Sequence, residues 1–102
     1  MSVVVVATIV PLPEHREEVI AALTEAIDQV HDEDGCELYS LHEAPDRLIM
    51  IEKWASRQAL DTHSTAPNLA VLGPKLVGKV AAAPEVIVLQ PVPAGDPAKG
   101  AV

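Results

Sequence analysis

One antiparallel sheet with helices on a single face, connected in the order βαββαβ, is the fold that the sequence predicts. Three features carry this reading. Runs of β-branched residues, Val3 to Val10 and Glu85 to Gln90, open and close the patterned part of the chain. Between them a stripe of helical period gives way to two alternating segments separated by a short turn. At 102 residues the chain has room for one core only. A βαββαβ order in one α+β domain is most simply the ferredoxin-like arrangement, an antiparallel sheet with its helices on one side.

Each element has its own warrant. Val3 to Val10 is apolar on both alternating faces and stops at Pro11, which reads as a strand buried on both sides. From Pro13 the period changes: Val19, Ile20, Leu23, Ala26, Ile27 and Val30 form one helical stripe, with Glu17, Glu18, Glu25 and Asp28 outside it. Pro13 suits a first helical turn, and Gly35 suits a left-handed helix end after the acidic run Asp32-Glu33-Asp34. Cys36 to Glu43 and Leu48 to Ala55 alternate as two strands around a turn at Ala44-Pro45-Asp46-Arg47. Leu48, Met50, Glu52 and Trp54 share one face of the second of these, and Ile49, Ile51, Lys53 and Ala55 the other. Ser56 is a suitable N-cap for a short helix carrying Ala59, Leu60 and His63. A break at Thr65-Ala66-Pro67 starts another helical segment, with Gly73-Pro74 expected to kink or end it. Residues 1–90 therefore form the domain, and residues 91–102, rich in Pro, Gly and Ala, form a C-terminal arm.

The composition sharpens this. Apolar residues make up 49% of the chain, yet there is no Phe, one Trp and one Tyr, so the core is built from small aliphatic side chains. Helices on one face leave the other face of an apolar sheet uncovered, and a symmetric dimer, sheet against sheet, is the simplest closure. The arm is then expected to be ordered by contact with the partner. Fifteen acids against seven bases give a net charge of −8, which argues against nucleic acid and anionic membrane surfaces as partners. One cysteine, Cys36, cannot form an internal disulfide and fits a reducing cytoplasm. The apolar N-terminal run lacks a basic flank and a cleavage site and is too short to span a bilayer.

Few residues are left to carry chemistry. Trp54 either packs in the core or offers its N–H to a ligand. Glu52 ends an apolar run, and a carboxylate buried there needs a partner or serves as a tuned acid. His63 can face the sheet from its helix, as a structural residue or as a base whose activity rises with pH as it loses its proton. Tyr39 and His42 lie on opposite faces of their strand, so at most one joins a given pocket. His15 and His31 fall at helix ends, where solvation is expected. No Gly-rich phosphate loop, GxSxG, HExxH or metal-ligand spacing occurs, so no flavin, haem or metal cofactor is expected.

The segments DEDGCELYSLHE and RLIMIEKWASRQALDTHSTAPNL resemble the antibiotic biosynthesis monooxygenase superfamily. The resemblance rests on Gly35, Cys36 and Tyr39, then Glu52 and Trp54, then His63, Ser64 and Pro67, in the family's order and spacing. It implies a dimeric α/β barrel with a pocket between sheet and helices in each subunit. It also implies a range of reactions: cofactor-free oxidation of phenols, anthrones and quinols to quinones, haem degradation, or isomerisation of a small phosphorylated signal. Ile9 stands where haem-degrading relatives carry Asn, and Met50 and Leu60 stand where polyketide-oxidising relatives carry Asn and Tyr. The pattern is most similar to the small quinol-oxidising type, in which a Met also precedes the Trp by four. On that reading His63 is the base, Trp54 a donor to the substrate oxygen, and Glu52 an orienting group or alternative base. Tyr39, His42 and Met50 bind a small aromatic substrate that reacts with O₂. The alternative is a dimer of the same fold that binds a small ligand without catalysis, or isomerises it.

Overall fold

The computed structural model describes residues 1–102. Strand β1 (Val3–Ile9) is followed by a 3₁₀ turn (Pro13–His15) and helix α1 (Arg16–His31). A hairpin of β2 (Cys36–Ala44) and β3 (Arg47–Trp54) comes next, then α2 (Arg57–Ser64), α3 (Pro67–Leu76) and β4 (Glu85–Leu89). The sheet order is β2-β3-β1-β4 with every neighbouring pair antiparallel. This is the ferredoxin-like arrangement that the βαββαβ order predicts.

The alternation of β1 and β3 decides which side is the core. Val3, Val5, Ala7 and Ile9 of β1, with Leu48, Met50, Glu52 and Trp54 of β3, all turn to the helices and are buried. Val19, Leu23 and Val30 of α1 meet them, as do Leu60 of α2 and Leu72 and Leu76 of α3. The opposite face has no helix. Val6, Ile49 and Ile51 are partly exposed there, and Ile87 and Leu89 of β4 are exposed. No helix is long and apolar enough to cross a membrane.

Two details, in β2 and α3, depart from the sequence expectations. Strand β2 does not alternate cleanly: its register slips between Cys36 and Leu38, a one-residue bulge that lets Cys36 and Tyr39 pair with the core-facing Trp54 and Glu52. Helix α3 is not broken at Gly73-Pro74 but runs through it to Leu76. Pro74 deprives the Ala70 carbonyl of its helical donor, and Ala70 is exposed, so water can serve that oxygen. Residues 91–102 hold no helix or strand and close only a local turn on Asp96, which accepts from the backbone of Ala98, Lys99 and Gly100.

Two backbone devices hold the helices over the sheet. Leu12 N–H donates to the Lys79 carbonyl and Ala81 N–H to that of Val10, tying the end of β1 to the α3–β4 connection. Gly35, with φ +82°, ends the α1–β2 connection in the left-handed region, and an added Cβ would stand 2.5 Å from Ala59 Cβ on α2. Only glycine satisfies both the backbone angle and the contact. Gly35→Ala is expected to lower the unfolding free energy by at least about 1–2 kcal/mol from the backbone angle alone. Urea denaturation measures it, and an unchanged midpoint would show that the loop relaxes freely.

Candidate active site

A cavity of about 230 Å³ lies between the core face of the sheet and the helices. Ala7, Ile9, Met50, Leu60, Leu72 and Leu76 supply most of its wall, and Pro84 and Val86 border it beside β4. Tyr39, Glu52 and His63 supply its polar surface, together with Ser64, whose hydroxyl donates to the Leu60 carbonyl. No Lys or Arg lines it.

Glu52 is where it is because strand alternation leaves no choice: a residue between Met50 and Trp54 on β3 must face the helices. The indole Nε1–H of Trp54 donates to Glu52 Oε1 at 3.0 Å, from two residues along the same strand face. Burial pushes the Glu52 carboxyl above its usual range, opposed by the Trp54 hydrogen bond and the proximity of His63. Tyr39 pairs with Glu52 in the ladder, and its phenol is also pushed well up by burial and by the Glu52 and Glu33 carboxylates. It therefore keeps its proton and is able to donate a hydrogen bond.

His63 reaches this group from α2. Ser56 caps that helix by accepting from Ala59 N–H, which fixes the start from which His63 is counted. The imidazole is buried and stacks on Trp54, with centroids 4.4 Å apart and planes at 29°. Tyr39 presents its ring edgewise at 5.5 Å. Nδ1 lies 2.8 Å from Glu33 Oε1, while Nε2 lies 4.0 Å from Glu52 Oε1, too far for a hydrogen bond. The other oxygen of Glu33 accepts from Asn68 Nδ2 at 2.8 Å. An imidazolium formed at His63 would thus meet carboxylate oxygen near both nitrogens and an indole face beneath the ring.

The structure brings together His63, Glu52, Tyr39 and Met50 at the cavity, and Trp54 behind them. It does not bring His42, which is exposed on the helix-free side and pairs with Ser40 Oγ; strand alternation chose Tyr39 instead. Nor does the Trp54 N–H point to a ligand. The ring is fully buried outside the cavity wall and its one donor is taken by Glu52, so Trp54 bears on the cavity through that carboxylate and through the His63 ring stacked on it. His31 is tied by Nε2 to the Tyr39 carbonyl, and the Cys36 thiol is pushed up by burial and by the Glu33 and Glu52 carboxylates. Glu33 and Asn68 were not among the residues that the sequence singled out. Glu33 looks like one acid in an exposed run, and nothing local distinguishes it from Asp32 and Asp34. No group of three His, Cys, Asp or Glu side chains is placed to hold a metal ion.

A carboxyl whose pKa rises on folding opposes folding once it ionises. Stability is therefore lost as pH climbs from the ordinary 4.5 through the raised folded value. Glu52→Gln keeps the acceptor for Trp54 and removes the charge. It is expected to match wild type near pH 4 and to exceed it in urea midpoint at pH 7. A wild type that gains on the Gln variant with rising pH would show that Glu52 is over-compensated by its neighbours.

The sequence profile described as Antibiotic biosynthesis monooxygenase matches residues 2–71, more than half of the chain. Rv0793 of Mycobacterium tuberculosis is 38% identical over 68 residues, covering 65% of this chain and 67% of that protein. Its structure superposes with a TM-score of 0.86 at 30% identity, over 94% of this chain and all of the other. A Caulobacter crescentus CB15 protein assigned to the same monooxygenases matches with a TM-score of 0.83 at 25% identity, over 89% and 90% of the two chains. A conserved protein from Methanosarcina mazei Go1 shares the fold, with a TM-score of 0.83 at 24% identity over 88% and 92%. The matched residues contain the cavity's strand carboxylate and helix histidine and the tryptophan behind them, and the chain belongs to the antibiotic biosynthesis monooxygenase family.

Proposed function

We propose that this protein is a cofactor-independent monooxygenase that oxidises a small phenol- or quinol-type aromatic to a quinone. The observation that supports it is an apolar cavity with a proton-accepting pair, His63 and Glu52, in its wall. At about 230 Å³ the cavity is smaller than most ligand pockets, about 300–1,000 Å³, and suits one or two rings. His63 takes the phenol proton, and the electron-rich phenolate passes one electron to O₂. The resulting radical pair joins at a ring carbon, and the peroxide formed there loses water to leave a carbonyl. One oxygen atom enters the product and the other leaves as water, carrying the proton that His63 held and the hydrogen from the ring carbon. Burial keeps bulk water from the anion, and Tyr39 can donate to its oxygen. A phosphorylated substrate, as the isomerase reading requires, would find two carboxylates here and no cation.

Oxygen uptake is the direct test, with a panel of naphthols and hydroquinones, before and after exhaustive chelation and desalting. Turnover that survives chelation, and falls about 10²–10⁴-fold in a folded His63→Ala variant, is expected for a general base. No uptake above the uncatalysed rate across the panel, with the same compounds bound, would favour the ligand-binding alternative.

The same reading includes a homodimer closed through the helix-free sheet face, where Val6, Ile49, Ile51, Ile87 and Leu89 are uncovered, with residues 91–102 lying against the partner. It also places the protein in the reducing cytoplasm, on its single free cysteine. Sedimentation at micromolar concentration is expected to give twice the 10.8 kDa chain mass, and removal of residues 91–102 to weaken the dimer. A 10.8 kDa species alone would overturn the dimer, and an unchanged dissociation constant would overturn the role of the arm.

A further inference from the structure

We infer that Glu33 is a positioning residue that fixes the tautomer of His63, with Asn68 as the clamp that holds Glu33 in place. The inference deepens the reading of His63 as a base and rests on it. A carboxylate can only accept, so the 2.8 Å contact from Glu33 Oε1 requires the proton on Nδ1. In the neutral ring the lone pair then sits on Nε2, the nitrogen nearer Glu52 and the one left without a hydrogen-bond partner. Free imidazole side chains favour the opposite tautomer, which would place a proton on Nε2 and leave nothing there to accept a substrate proton. The choice of tautomer is therefore the difference between a base and a bystander.

The contact is built rather than incidental. Glu33 and His63 are separated by 30 residues, Glu33 and Asn68 by 35, and the Glu33 side chain is only 14% exposed. Three segments converge on one carboxylate: the α1–β2 connection, α2 and the start of α3. Gly35 makes the approach possible. Its backbone lies against Ala59, one helical turn before His63, so the same docking that needs a glycine at 35 brings residue 33 to the imidazole. Asn68 donates to Oε2 and so leaves Oε1 for the histidine.

Nitrogen NMR on histidine-labelled protein reads the tautomer directly, with His63→Gln assigning the signal among the four histidines. Wild-type His63 is expected to carry its neutral-state proton on Nδ1. Glu33→Ala should move it to Nε2 and lower kcat by at least about tenfold while KM changes little. Asn68→Ala should shift both in the same direction by less. The double variant Glu33→Gln with Asn68→Asp swaps donor and acceptor: the Gln amide donates to the Asp, its oxygen faces Nδ1, and both tautomer and kcat are restored. That variant also carries the test if Glu33→Ala does not fold. A wild-type proton on Nε2, a tautomer unmoved in Glu33→Ala, or a double variant that fails to restore Nδ1–H each overturns the inference. The tautomer needs no substrate. A proton on Nδ1 in a protein that consumes no O₂ would therefore keep the clamp and sink the quinol reading.

Discussion

A carboxylate in the middle of an apolar sheet face is the constraint on which the site depends. Glu52 cannot turn away, because its neighbours on the strand pin it to the core side. An uncompensated charge there would cost several kcal/mol, so the fold surrounds it with groups that answer it. Trp54 donates from the same strand, and His63 stacks on that indole within electrostatic reach of the carboxylate. The histidine in turn needs an acceptor for its far nitrogen, which Glu33 supplies, and Glu33 needs a donor, which Asn68 supplies. The succession of donors and acceptors stops at Nε2 of His63, which has no hydrogen-bond partner. Each member makes sense only with the next, which is the behaviour expected of a polar network in a low-dielectric interior.

This network fixes the character of the cavity beside it. The apolar wall excludes water and gives little orientation, so the polar edge formed by Glu52, His63 and Tyr39 must do the recognising. Its charge is acidic, and no cation balances it in the wall. Such an edge disfavours anions relative to neutral molecules. The burial that makes Glu52 reluctant to ionise also keeps Tyr39 protonated, so acceptor and donor sit side by side without neutralising each other.

A second constraint is one-sidedness. Three helices cover one face of a four-stranded sheet, and the core they form uses few aromatic residues, so its stability leans on close packing of Val, Leu and Ile. The uncovered face carries side chains of the same kind. Strand β4, exposed along its whole length in the single chain, borders both that face and the cavity.

Local chemistry was legible in the sequence because strands and caps are local. The period-2 pattern assigned both faces of β3, Ser56 marked the start of α2, Gly35 marked a left-handed turn, and Pro67 started α3. The candidates Glu52, His63 and Tyr39 followed from the same periodicities and Met50 from the family resemblance, and all four line one cavity. What the sequence could not reveal were the partners. That Trp54 spends its N–H on Glu52, that Tyr39 rather than His42 reaches the cavity, and that α3 continues through Pro74 were settled by packing against other elements. Glu33 and Asn68 are the clearest case. Their meeting with His63 spans loops and helices far apart in the chain, and no periodicity within one element encodes where an acidic turn will land on another. The sequence determined which faces are apolar and which residues could titrate; the tertiary structure alone decided which titratable groups meet, because hydrogen bonds across 30 residues exist only once the helices have docked on the sheet.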